Sequence, residues 1–234
     1  MKYNPDQYIY LDWGWGEINA TLAFTWLVMA LLAGGSWFIS RRLSSTTSIS
    51  GWQNLLEVIV KGINDHIEEV THRDPGPFLP LIGTLFLFIL VSNILSIVPF
   101  FQPPTGSLST TAAYAVVVFL AVPVFGLSTQ SPASYLKQYI QPTPLMLPFN
   151  LLGDFTRTFA LAVRLYGNVM SSTVIILVLV VIVPLVIPVI MQLLGLLTGI
   201  IQAYIFALLA AVYIASAMKK TEKENNKSFK GGST

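Results

Sequence analysis

Between Pro75 and Met218 lie 144 residues in which the only charged side chains are Lys137, Asp154, Arg157 and Arg164. A water-soluble chain carries about one charged residue in four, so this stretch cannot cover a surface facing water. The other 20 of the 24 Lys, Arg, Asp and Glu residues lie before it or in the tail from Lys219. Such a stretch belongs in a bilayer, as helices that satisfy their own backbone groups. A soluble enzyme, a nucleic-acid binder and a disordered chain are excluded. The net charge of +2 is too small to imply a polyanionic partner, and the absence of cysteine removes disulfides, thiolate nucleophiles and cysteine-bound metals.

A hydrocarbon core of about 30 Å takes about 20 apolar residues to cross as a helix. The first span is expected from Ile18 to Ile39, flanked by Trp13, Trp15 and Trp37 and stopped by Arg41-Arg42. The second runs from Phe78 to Phe100 and the third, rich in small residues, from Thr111 to Leu127. The last two differ in kind. Leu145–Val183 and Pro184–Met218 are each long enough for roughly 50 Å of helix. They are expected to form a strongly tilted helical hairpin over 145–218, with kinks near Pro184 and Pro188, or a course partly along the membrane surface, as the alternatives. The tail, 219–234, is polar, lysine-rich and expected to be disordered.

Between the first two spans, residues 51–72 place Leu55, Leu56, Ile59, Ile63, Ile67 and Val70 at helical spacing, with Glu57, Lys61, Asp65, Glu68 and Glu69 mostly between them. This is the pattern of an amphipathic helix at the membrane interface; a soluble capping helix is the competing reading. The fold class is therefore all-α integral membrane, one domain over 1–234, with five transmembrane helices and one interfacial helix. Residues 1–17 lack the basic start and apolar core of a secretory signal and are expected to be retained as an outer segment. Basic residues at Arg41-Arg42, Lys61, Arg73, Lys137 and Lys219-Lys220 share one side of a five-span chain. That puts the N-terminus outside and the C-terminus in the cytoplasm.

Arg164 carries the functional information. Arginine in mid-membrane costs about 2.5–3.5 kcal/mol on insertion scales and marks a functional position. Its helical neighbours Ala160, Leu161, Gly167 and Asn168 include no acid, whereas Arg157 can pair with Asp154 one turn away. Arg164 is left needing a carboxylate, most simply from another chain. Arg157, Ala160, Arg164, Gly167, Asn168, Ser171 and Ser172 form a small, polar stripe. Gln192, Gly195, Gly199 and Gln202 form a second on the last span. Small residues admit a neighbouring helix and amides bond across it; packing of the hairpin alone is the competing reading.

The run Leu161-Ala162-Val163-Arg164-Leu165-Tyr166-Gly167-Asn168 resembles the LxLRLFGN signature of subunit a of F-type ATP synthases. Ile201-Gln202-Ala203-Tyr204-Ile205-Phe206 is similar to the family's IQAxIF, Pro103-Pro104-Thr105 to its PPT loop, and Asn93-Ile94-Leu95 with Pro99 to its NLLGLIP-type stretch. The resemblance covers nearly all the chain in order. It implies a tilted hairpin packed against a c-ring, with peripheral-stalk b subunits, the other subunits of the complex and membrane lipids as partners. It also implies an energy-coupling membrane, such as a bacterial plasma or inner membrane, and no cofactor, metal or nucleic acid. Arg164 matches the essential arginine that a rotor carboxylate must meet, and Asn168, Gln202 and Asp154 match other family positions.

Departures from the family pattern bear on the ion. Proton-translocating members usually carry a carboxylate where this chain has Thr173, or a histidine where it has Gly195. Pro104-Thr105-Gly106-Ser107-Leu108-Ser109 bears serine in place of the usual loop acid. The path is expected to be lined by Ser171, Ser172, Thr173, Gln192 and Gln202, carrying H+ through held water or Na+ on oxygen ligands. The sodium reading would place the chain near the divergent N-type ATPases. A stand-alone channel or secondary transporter would carry its own ion-binding acids. His66 and His72 form no HExxH, and no GxSxG elbow or phosphate-binding loop is present. A path and an electrostatic gate are expected, with no bond-making chemistry.

Overall fold

The computed structural model describes residues 9–12, 17–42, 61–62, 64–65, 67–69, 76–98, 101–129, 131, 146–183 and 186–231. A short ladder opens it: β1 (Ile9–Asp12) pairs antiparallel with β2 (Glu17–Asn19), with a bulge between Ile9 and Leu11. Apart from this ladder every described element is helical, as expected of an all-α chain. Ile9, Tyr10 and Leu11 favour strands. The ladder leads straight into α1 (Ala20–Arg42).

Three further helices follow the expected order: α2 (Leu79–Leu95), α3 (Leu108–Thr129) and α4 (Met146–Ile182). The last is α5 (Val186–Gly231). Among the described residues four helices, α1, α3, α4 and α5, are long and apolar enough to cross a membrane. The second expected span is shorter than hydropathy implies, because α2 has 17 residues and a length of about 26 Å. After Leu95 the bonding tightens: Ser96 N–H reaches Asn93 O at 3.2 Å and Val98 N–H reaches Leu95 O at 2.9 Å.

The long pair is as expected at its inner boundary and different at its far end. Helix α4 stops one residue before Val183, and α5 resumes at Val186. Pro184 explains the break, whereas Pro188 lies in the first turn of α5, where its missing N–H is no loss. The tail is corrected too: α5 has 46 residues and continues to Gly231.

Helix α5 is central, with 33% of its membrane window buried against 6% for α4 and 11% for α1. It packs on α2, α3 and α4; α3 also packs on α4, and α1 lies against α2. Ala203, Ala207, Ala210 and Ala211 bring α5 close to its neighbours, among Phe78, Ile82, Ile89, Val118, Leu161, Leu165 and Phe206. Outward side chains such as Val181 and Ile182 stay exposed on the chain, as lipid-facing apolar groups do, since lipid is no less apolar than they are. Of the expected interfacial helix, 61–62, 64–65 and 67–69 are helical, with Ile67 in the core and Asp65, Glu68 and Glu69 exposed. Residues 51–60 lie outside the described residues, as do Lys137, His66 and His72.

Candidate functional site

Helix α4 separates two faces along its middle turns. Thr158, Leu161, Ala162 and Leu165 are buried, while Arg157, Ala160, Arg164 and Ser171 are exposed, with Gly167 and Asn168 between. Leu161 and Leu165, fully buried at about 60° and 100° round the helix from Arg164, fix this rotation of the helix and turn Arg164 away from the chain's own core. Arg164 has no ion-pair or hydrogen-bond partner among the described residues. Arg157 sits 3.6 Å from Asp154, so the carboxylate nearest in sequence is engaged elsewhere. The Ser171 hydroxyl bonds to Asn168 O at 3.3 Å, and the Thr173 hydroxyl to Val169 O at 2.9 Å. Both donors are therefore turned onto the helix itself, leaving oxygen lone pairs as what those side chains offer outward.

Ser172 leaves the arginine stripe. Eight residues on from Arg164, it has rotated about 80° around the helix and faces α5. A Cβ on Gly195 would lie 3.3 Å from both Cβ and Oγ of Ser172. Gly195 thus serves close approach of the two long helices.

The second stripe points inward along its whole length. Gln192 Nε2 donates to Ser96 O at 3.0 Å, at the frayed end of α2. Gly199 lies against Asn93, whose Nδ2 donates to Gly199 O at 2.8 Å. Asn93 Oδ1 accepts from the Thr105 hydroxyl at 3.2 Å, within the 3-10 turn Pro104–Gly106. Gln202 is 6% exposed and its Nε2 has no partner among the described residues; Ser92 Oγ, fully buried, and Tyr114 OH are in the same condition. Unpaired buried polar atoms are costly. The Ser107 and Ser109 hydroxyls lie 2.6 Å apart, just after the 3-10 turn.

These features lie within a wider similarity. The family model for the ATP synthase A chain matches residues 22–215, from the first span to within three residues of Met218. The chain belongs to that family. Relatives in the ATP synthase A chain family include "ATP synthase subunit a 2" of Acaryochloris marina, 59% identical over 176 residues, 75% of each chain. "ATP synthase subunit a 2" of a Picosynechococcus species is 51% identical over 175 residues, again 75% of each. "ATP synthase subunit a" of Nitrosospira multiformis is 52% identical over 178 residues, 76% of this chain and 71% of that one.

In this member of the ATP synthase A chain family, the residues singled out from sequence divide between two places. Arg164, Asn168 and Ser171 lie on or beside the outward face of α4, Thr173 is exposed about half a turn round the helix from Arg164, and Asp154 is paired to Arg157. Ser172, Gln192 and Gln202 lie inside. Sequence reasoning passed over Ser92 and read Asn93 and Thr105 only as parts of family-like stretches, without the contact between them. Their signal was available: polar residues in an otherwise apolar span, at 92–93, and in the loop 12 residues on, all of them buried. Among the described residues no group of three or more His, Asp or Glu converges as a metal site would require.

Proposed function

We propose that this chain is the membrane stator subunit of a rotary F-type ATP synthase or ATPase, forming two ion half-channels that couple H+ or Na+ passage to rotation of a c-ring. The observation that carries the reading is Arg164, a guanidinium on an outward face without a counter-ion among the described residues. The chain's nearest carboxylate is already spent on Arg157.

Guanidinium stays charged at any working pH and forks onto a carboxylate. A rotor carboxylate arriving loaded must release its ion to meet Arg164, and the fixed charge bars ions from passing straight between the half-channels. Passage is then obliged to go round with the ring. Each charge crossing 100 mV releases about 2.3 kcal/mol. Asn168 orients the guanidinium, Gln202 and Gln192 line access, and Ser171, Ser172 and Thr173 supply oxygen. Asp154 keeps Arg157 neutralised.

The same reading takes α2 as a fifth span, its tight turns and the flanking residues completing the crossing. It sets α4 and α5 tilted against the ring, since about 56 Å of α4 exceeds the bilayer core. The peripheral-stalk b subunits are further partners, the N-terminus lies outside, the C-terminus is cytoplasmic, and the membrane is a bacterial plasma or inner membrane. The subunit performs no bond chemistry.

Reconstitution with Arg164→Ala tests the reading: ATP-driven ion uptake is expected to vanish in fully assembled complex, and retained uptake refutes it. Uptake measured with and without Na+ at fixed pH, beside an uncoupler, separates the two ions.

A further inference from the structure

We infer that Asn93 is a positioning residue for ion passage, clamping the Pro104–Gly106 turn and the backbone of α5 together so that Gln202 is held in its buried place. This rests on the proposed role of Gln202 in the ion path.

Both ends of the Asn93 amide are used. The Gly199 carbonyl can only accept, so it faces Nδ2 at 2.8 Å. Oδ1 is thereby turned to the Thr105 hydroxyl at 3.2 Å. The orientation is forced by its partners, not chosen among equivalents. All three residues are buried, with Asn93 4% and Thr105 0% exposed, so a broken bond here strands polar groups where water cannot replace it. The glycine is part of the clamp: a Cβ at 199 would meet Asn93 Cγ and Nδ2 at 3.1 Å. Gln202 stands three residues beyond Gly199, almost one turn along α5, and Gly199 and Gln202 are both buried. Fixing the Gly199 carbonyl therefore fixes the rotation and height of the helix segment that carries Gln202. Gln202 Nε2, which has no partner among the described residues, is kept aimed by its backbone alone.

The test is a double-substitution cycle in the complete complex in vesicles, reading ATP-driven ion uptake per assembled complex. Asn93→Ala and Gln202→Leu are each expected to lower uptake about ten-fold, and the double variant no further than Gln202→Leu alone, as coupled residues behave. Thr105→Ser keeps the hydroxyl donor and is expected to retain uptake, while Thr105→Val loses it. Should Asn93→Ala not assemble, Thr105→Val takes its place in the cycle. Independent effects that multiply, or full uptake by either single variant, overturn the inference. Arg164→Ala run in parallel separates the levels: retained uptake there sinks the stator reading, whereas loss there with a multiplicative cycle sinks only the role of Asn93.

Discussion

Gly195 and Ser172 meet so closely that the missing Cβ of the glycine would stand 3.3 Å from the serine's Cβ and Oγ. Carbon atoms settle at about 3.5–4.0 Å, and Ser172 Cβ is fixed to the α4 backbone. Gly195→Ala is expected to cost about 1 kcal/mol and Gly195→Leu about 3 kcal/mol, as overpacked interiors do. Thermal unfolding of the detergent-solubilised complex measures it, and a Gly195→Leu subunit as stable as the parent would contradict the packing.

Arg164→Ala should leave assembly and stability unchanged while abolishing coupled transport, because the side chain is exposed and unpaired among the described residues. Arg164→Lys should be nearly as inactive, since a flexible point charge lacks the guanidinium's fork. Loss of assembled complex in either variant would show that Arg164 supports the fold.

Asp154→Asn should slow ion uptake several-fold by freeing Arg157. The two arginines are seven residues apart on one face, about 10 Å along the axis, so a rotor carboxylate would find two free cations in place of one. Asp154→Asn with Arg157→Gln should recover most of the rate. A double variant as slow as the single one would assign Asp154 a role of its own in the path.

Gln192→Leu removes the amide that reaches Ser96 O at 3.0 Å. The expected cost is about 1 kcal/mol, the worth of an ordinary hydrogen bond. Gln192→Glu should cost more, because an ionised carboxylate would face a carbonyl oxygen. Stability ranked as parent, Leu, Glu checks the contact, and equal stability of all three would deny it.

Hydropathy placed the long helices well: Leu145–Val183 was expected and Met146–Ile182 is found. It overran at α2, where the 97–100 segment is apolar enough for a span but Pro99 withdraws a backbone donor, an effect no hydropathy sum contains. It also missed the continuation of α5, because the charges that made the tail read as disordered are good helix formers. At the site, spacing identified the outward arginine face from residues three and four apart. Spacing cannot name the partner across a gap, so Ser172 was grouped with Arg164 though it faces Gly195. The Asn93–Thr105 bond joins residues 12 apart through a turn, and neither periodicity nor charge counting sees such a closure.

The unbroken run of α5 from Gly199 to Gly231 spans 32 residues, about 48 Å, so one continuous helix joins the amide clamp to the far end. A swing of about one degree at Gly199 moves its tip by about 0.8 Å, given that length. A spectroscopic label near the C-terminus would magnify small rocking deep in the bilayer, and a bulky fusion there would brake it.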